Sequence, residues 1–323
     1  MRASEPDPIG ISGVAAVLPP TTFTLEELAV QGRIRSAPAA LSSFGFSKAH
    51  VADQRHDAAW LAEKAARRAL ADAECQPEDI DLLIWTSALA HNHVRDPERT
   101  TNGDVLPLFR YTSGWLQDVL ALDSADVMAV AQQGCASMFS AIRLARAALV
   151  AEPERRNVLC VGVDVLPAGG SREILYNVIS DAACAVVVSR GCCRDRWLGY
   201  RQISRGYYFD TPNRQAEILA AYFPTSRLCI AELLNQQGLG PQDIDWVVPS
   251  GVQRTSWNIL LDLVGIPASR LYDSGESFGH TIVADNFLLL AHMRRQGAVP
   301  PKARLLLFTY GFGSSWCSLL LEH

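Results

Sequence analysis

The sequence predicts an α/β protein made of two pseudo-symmetric halves, and three observations lead there. The pentapeptide PEDID at residues 77–81 recurs as PQDID at residues 241–245, an offset of 164 residues, with a helical pattern before each copy and an apolar strand after it. Strand-like and helix-like patterns alternate through both halves, the order expected of sheets covered by helices. Within the first half a cysteine, Cys135, separates an apolar strand pattern from a helical one.

Taken in order, residues 9–18 (IGISGVAAVL) read as a first strand stopped by Pro19 and Pro20, and the polar stretch 21–53 reads as loop with short helices. Residues 58–73 (AAWLAEKAARRALADA) are rich in alanine with Trp60, Leu61, Ala65 and Leu70 on one side, an amphipathic helix against a sheet. Residues 82–86 form a continuous apolar run, as in a parallel strand covered on both faces. The polar segment 91–103 holds an H-x-H pair, His91 and His93; that spacing can bind metal, but no further ligand cluster accompanies it, and no metal is expected. Residues 111–122 read as helix, 127–130 as a buried strand, and 136–149 as a helix with Phe139, Ile142, Leu144 and Leu149 at helical spacing. Strands follow at 157–163 and 183–188, with loop at Gly169, Gly170 and Ser171 between them. The second half echoes both strands, RLLLFTY at 304–310 and WCSLLLE at 316–322, and carries an apolar helix at 282–293. The expected division is a first half at 1–190 and a second at 191–323.

Composition narrows the function class. Hydrophobic residues make up 49% and charged residues 20%, as in a folded globular protein, and the net charge of -5 offers no basic footprint for nucleic acid. Eight cysteines in 323 residues are too sparse for a disulfide scaffold, and none forms a C-x-x-C pair. The first ten residues have no apolar core for a signal peptide, and no uninterrupted apolar run reaches membrane-spanning length, so the expectation is a cytoplasmic protein with no membrane partner.

The junction at Cys135 points to chemistry. Free backbone N–H groups and the positive end of the helix dipole converge at a helix start, where they favour a nucleophilic thiolate suited to covalent catalysis. Taken alone, the junction is equally consistent with a small buried thiol packed under a helix.

A duplicated α/β unit with a cysteine at the head of a central helix resembles the thiolase fold, and in detail the ketoacyl-ACP synthase III family. The resemblance runs along nearly the whole chain: ISGVAAVLP, AARRALADAECQPEDIDLLIWTS, QQGCASMFSAI, SDAACAVVVS in place of the family's Gly-Asp-Gly-Ala strand, DIDWVVP and GFGSSWCSLLLE. It implies a five-layer αβαβα arrangement, a homodimer, an acyl thioester of coenzyme A or acyl carrier protein as substrate with no separate cofactor, and an acyl intermediate on Cys135. It also implies an oxyanion hole formed by the backbone N–H groups of Cys135 and Gly313, with Phe312 beside the substrate.

Two departures from the family pattern bear on the reaction. After DIDWVVP the family places His and then Gln-Ala-Asn or Asn-Val-Asn, whereas this chain has Ser250, Gly251, Val252 and Gln253. The family's Gly-Asn-Thr-Ser becomes Gly279, His280, Thr281 and Ile282, similar to thiolases and to an acyl-transferring branch of the group in which an aspartate, here Asp285, supports the histidine. These assign His280 as base and Asp285 as its support, although an acid there also suits a helix's first turn. Ser250 either hydrogen-bonds substrate or water or only fills the space of the missing histidine. The large side chains Phe109, Trp115 and Phe223 hint at a restricted, aromatic-lined pocket, or equally at core. The expected function is acyl transfer from an acyl-Cys135 thioester to an oxygen, nitrogen or sulfur nucleophile, in polyketide, fatty-acid-derived or other secondary-metabolite biosynthesis. The alternatives are decarboxylative condensation with a malonyl thioester and an inactive partner subunit; thiolases also condense carbon with a Gly-His motif of this kind, using a further cysteine base for which Cys317 is a candidate.

Overall fold

The computed structural model describes residues 7–89, 106–312 and 315–323. Its main sheet contains nine strands: β1 (Ile9–Val17), β2 (Leu82–Thr86), β3 (Asp126–Val130), β4 (Asn157–Asp164), β5 (Ala182–Arg190), β6 (Asp195–Ser204), β7 (Trp246–Val248), β8 (Arg304–Gly311) and β9 (Ser315–Glu322), in the order β7-β8-β9-β6-β1-β5-β4-β2-β3. The order β1-β5-β4-β2 in the first half is repeated as β6-β9-β8-β7 in the second, with the same parallel and antiparallel senses. Only the pairs Gly10↔Arg196 and Ile11↔Asp195 join β1 to β6, so the two half-sheets hinge at a narrow seam and fold over one another. In the second half the counterpart of β3 shrinks to a single parallel bridge, Val247↔Leu271.

The repeated pentapeptide has a local explanation. In both copies it opens a short 3-10 turn, Pro77–Asp79 or Pro241–Asp243. The first aspartate caps that turn: Gln76 N donates to Asp79 Oδ2 at 2.8 Å and Gly240 N to Asp243 Oδ2 at 2.7 Å. The second aspartate ties the following strand to its neighbour, Asn157 N donating to Asp81 Oδ2 at 2.9 Å and Arg304 N to Asp245 Oδ2 at 2.9 Å.

Six longer helices cover the sheet: α1 (Ala58–Ala73), α2 (Thr112–Val119), α3 (Ser137–Ala151), α4 (Gln215–Gln236), α5 (Arg254–Val264) and α6 (Asp285–Arg295). Helices α3 and α6 lie between the half-sheets, where Phe139 and Phe287 meet at 5.5 Å among Ile84, Val158, Leu305 and Leu307. On one outer face α1 and α2 pack on Leu83, Leu159 and Val187, and on the other α4 and α5 pack on Leu306, Phe308 and Leu320. The result is the five-layer αβαβα arrangement. Successive residues of a strand point to opposite faces, so Ile84 enters the central layer and Leu83 the outer one. That is why LLIW, VLCV and LLLF are unbroken apolar runs.

One expectation needs correction. The strand at 127–130 is present but not buried: β3 is the last strand of the sheet, with Met128 42% exposed. Residues Gly134–Ala151 are, by length and composition, apolar enough to cross a bilayer, with Arg143 and Arg146 interrupting the apolar run; half of the stretch is buried here, where α3 lies between the half-sheets.

Candidate active site

Cys135 stands in a 3-10 turn, Gly134–Ala136, between β3 and α3. The backbone reverses here through Gln132 and Gly134, with φ of 69° and 53°. A side chain at Gly134 would fall 2.3 Å from the Phe312 carbonyl oxygen, and one at Gly311 would fall 1.9 Å from that of Gln133. Both glycines are therefore required for the end of β8 to close directly on the cysteine turn. The cysteine thiol is half-buried, and its Sγ lies 3.4 Å from His280 Nε2.

His280 does not open a helix; α6 starts five residues later, after a 3-10 turn at Ile282–Ala284 whose first residue has φ of 59°. Its backbone is instead held like a strand, donating to Val178 O at 2.7 Å and accepting from Ser180 N at 3.0 Å. The ring Nδ1–H donates to Asp285 Oδ2 at 2.5 Å, because a carboxylate can only accept, and the other ring nitrogen is thereby aimed at Cys135. Asp285 Oδ1 takes two further bonds, from Thr281 N at 2.6 Å and Thr281 Oγ1 at 2.7 Å. Burial by itself disfavours the imidazolium, but the charges of Asp285 and Cys135 and the hydrogen bonds to both raise the His280 pKa well above its ordinary value.

Gly251, which sequence reasoning passed over, makes room for this aspartate. A Cβ at 251 would lie 2.6 Å from Asp285 Oδ1 and 2.8 Å from the Gly279 carbonyl oxygen. Asn286 also escaped notice; its Nδ2 donates to Val248 O and Phe308 O, tying β7 to β8 beneath the site.

Cys135 and His280 open into a cavity of about 260 Å³ walled by Leu89, Ile218, Phe223, Tyr222, Tyr310 and Phe312. Phe223 and Phe312 both stand at this wall, and Phe223 also packs against the outer core on the α4 side. Trp115 packs into the outer core on the α1 side, and Phe109 is 61% exposed. Ser250 lines a separate cavity of about 420 Å³ on the other side of Asp285, so Val252 and Gln253, rather than Ser250, reach the Cys135 pocket. Cys317 is buried among apolar residues of the central layer, accepts from Tyr200 Oη at 3.2 Å, has its thiol pushed up to about 12 by burial, and is not among the residues that line the Cys135 pocket. Gly313, His91 and His93 lie outside the described residues. Among the described residues no cluster of metal-ligating side chains occurs.

Comparison with known proteins bears on what this arrangement belongs to. Residues 234–323 match the family model for the C-terminal part of 3-oxoacyl-(acyl-carrier-protein) synthase III. The β-ketoacyl-(acyl-carrier-protein) synthase III of Methylococcus capsulatus is 25% identical over 339 residues, covering 97% of this chain and 98% of that protein. The structure of the 3-oxoacyl-(acyl-carrier-protein) synthase III of Aquifex aeolicus superposes with a TM-score of 0.83 at 21% identity, covering 98% of this chain and 100% of that one. The acyltransferase ChlB3 superposes with a TM-score of 0.82 at 22% identity, covering 98% and 97%. The chain is similar to the synthase III proteins over nearly its whole length, its C-terminal part matches their family model, and it has their fold. Within that family pattern, the two departures of this synthase III-like chain have different structural consequences. The histidine at 280 lies 3.4 Å from Cys135 Sγ, whereas Ser250 lines the other cavity. Where the family carries Gln or Asn after its histidine, Gly251 leaves the space that Asp285 fills.

Proposed function

We propose that this chain is an acyltransferase that carries an acyl group on Cys135 from a coenzyme A or carrier-protein thioester to an oxygen, nitrogen or sulfur nucleophile. The reading rests on one observation, the aligned set Cys135 Sγ, His280 Nε2, His280 Nδ1 and Asp285. In the first step the Cys135 sulfur attacks the thioester carbonyl, the bond to the donor sulfur breaks, and the departing thiolate takes a proton from His280. Acylation removes the negative charge at Cys135, one of the contributions that raise the His280 pKa, so the ring becomes better able to accept a proton in the second step. The acceptor then gives its proton to His280 as it attacks the acyl-cysteine carbonyl, and Cys135 leaves as thiolate. Backbone N–H groups of Cys135 and Gly313 are proposed to hold the oxyanion, each such donor contributing on the order of 10²- to 10³-fold. Asp285 supports the neutral tautomer that accepts at Nε2 and the imidazolium that forms.

Other parts of the reading have separate support. The OleA protein of Xanthomonas campestris, solved with bound lauric acid and lauroyl-CoA, has a TM-score of 0.79 to this chain at 18% identity, covering 98% of this chain and 99% of that one, and the apolar pocket beside Cys135 is compatible with a thioester of that general kind. The exposed edge of β3 suits pairing with a second copy, in keeping with a homodimer. A cytoplasmic location and a role in secondary-metabolite biosynthesis complete the proposal. An inactive partner subunit has no need of the three donors converging on Asp285.

Incubation with an acyl-CoA followed by peptide mass spectrometry tests the nucleophile. One acyl mass is expected on the peptide containing Cys135, and Cys135→Ala should abolish it. An adduct on Cys184 or Cys317 instead would overturn the assignment.

A further inference from the structure

A short hairpin at the Cys135 pocket is built against its own backbone preferences. Residues Glu173–Ile174 and Asn177–Val178 pair as two strands, Glu173 with Val178 and Ile174 with Asn177, which leaves Leu175 and Tyr176 alone in the turn. Both have left-handed backbones, with φ of 48° and 64°. A two-residue turn of that kind favours asparagine, aspartate and glycine, and a leucine or tyrosine held in it is strained. Asn177 keeps the turn closed: its Nδ2 donates to Ile174 O and Leu175 O, both at 3.1 Å, and its Oδ1 accepts from Gln253 N at 3.2 Å. The hairpin has two faces. On one, Glu173 accepts from Ser36 Oγ at 2.6 Å and Val178 packs with Leu25, Leu28 and Phe46. On the other, Ile174 and Asn177 line the Cys135 pocket. The two turn residues divide the same way. The Tyr176 ring meets Phe44, which packs on the Val178 cluster, with centroids 6.2 Å apart. Leu175 joins none of the apolar clusters of the described core, yet it is less exposed than Ile174 or Tyr176, and it lines the Cys135 pocket.

We propose that Leu175 is a specificity-determining residue that keeps water from the acyl-Cys135 thioester, the strained turn holding it at the pocket wall so that an acceptor, and not water, takes the acyl group. This rests on the reading that Cys135 is acylated. His280 by itself does not distinguish water from an alcohol or an amine. Water would give its proton to His280 Nε2 while its oxygen bonds to the acyl carbon, and the bond to Cys135 would break, releasing a carboxylic acid and the cysteine thiolate. Exclusion of water from the pocket is what guards a reactive intermediate against that loss. Ile174, 37% exposed and also lining the pocket, places the hairpin at its mouth, where solvent enters. Asparagine or glycine at position 175 would relax the turn but leave this part of the wall polar or open. Backbone strain persists only where surrounding contacts hold it, as Asn177 does here, and it gathers at sites that use it.

The test loads the full chain with butyryl-CoA, removes free thioester, and follows loss of the acyl mass by intact-protein mass spectrometry, in buffer alone and with coenzyme A added back as a thiol acceptor. Leu175→Gly should lose its acyl group to water several-fold faster than the wild type, with an unchanged or higher Tm because glycine suits the turn. Return of the acyl group to coenzyme A should change little, so the ratio of hydrolysis to transfer rises. Leu175→Asn, which also suits the turn, should behave like Leu175→Gly and gives a second reading of the same loss. Leu175→Met, apolar and of similar size, should restore slow hydrolysis. Tyr176→Gly relaxes the same turn on the Phe44 side and should hydrolyse at the wild-type rate. Wild-type hydrolysis by folded Leu175→Gly or Leu175→Asn, equal acceleration by Tyr176→Gly, or hydrolysis and transfer changing in step would overturn the proposal while leaving acylation of Cys135 intact. A wild-type chain that forms no adduct on Cys135 would overturn the acylation reading and this proposal with it.

Discussion

Replacing Gly251 by alanine should disable the site without touching Cys135 or His280 directly. The new methyl carbon would sit 2.6 Å from Asp285 Oδ1, 2.8 Å from Gly279 O and 3.0 Å from Asp285 Cγ, where 3.4 Å is the start of ordinary contact. The carboxylate must therefore shift by roughly 0.8 Å, and it has nowhere easy to go: Asp285 is 3% exposed, Oδ1 is held by two donors from Thr281, and Oδ2 is 2.5 Å from the His280 ring. A displacement near 1 Å in a catalytic constellation costs on the order of 10²-fold in rate, and overpacking of this kind destabilises a fold by about 1–3 kcal/mol. Single-turnover acyl transfer from acyl-loaded protein, with thermal melts alongside, measures both effects. Because the loss acts through Asp285, the double variant Gly251→Ala/Asp285→Asn should be no slower than Asp285→Asn alone. Wild-type transfer by a folded Gly251→Ala protein, or fully additive losses in the double variant, would refute the reasoning.

His280→Ala should slow acylation and transfer by about 10²- to 10⁴-fold, the usual contribution of a positioned acid–base group, as read by quenched-flow mass spectrometry. Wild-type rates would remove the histidine from the mechanism. The His280 ring, followed by NMR titration, should keep its proton well above the ordinary histidine range in the wild type. The midpoint should fall in Asp285→Asn and also after alkylation of Cys135, since each change removes a negative charge that now outweighs burial. A midpoint that neither change moves would contradict the electrostatic account.

Much of the fold was legible because burial on both faces of a strand leaves an unmistakable run of apolar residues. The helix Ala58–Ala73 was readable to the residue, with Asp57 capping its start and Glu74 ending it in a left-handed conformation. The same runs do not say which strand ends the sheet. Val127 and Met128 read like Leu83 and Ile84, yet β3 is the edge, because an apolar pattern reports side-chain direction and not the number of neighbouring strands. At the site, the Gly-His pairing pointed to His280 and Asp285 as candidates, and their spacing lets one chain segment carry both ring and carboxylate. Gly251 was invisible because its meaning depends on Asp285 lying across a gap only the folded chain closes. Ser250 and Cys317 fell at family positions, but position along the chain does not tell which cavity or layer a side chain enters.

The central claim is that the acyl group on Cys135 passes to a heteroatom nucleophile and not to a carbon nucleophile generated by decarboxylation. Decarboxylative condensation needs donors aimed at a developing enolate, and losing one such donor costs on the order of 3–4 kcal/mol. Here Ser250 lines a different cavity, and His280 is the side chain that lies within hydrogen-bond reach of Cys135 Sγ among the described residues. The direct measurement offers acyl-loaded protein to carboxyl-labelled malonyl-CoA and malonyl carrier protein and follows carbon dioxide release together with ketoacyl product. The account predicts neither above background while the acyl group remains transferable to hydroxyl, amine or thiol acceptors. Carbon dioxide released in step with a ketoacyl product, one for each acyl group consumed, would contradict it.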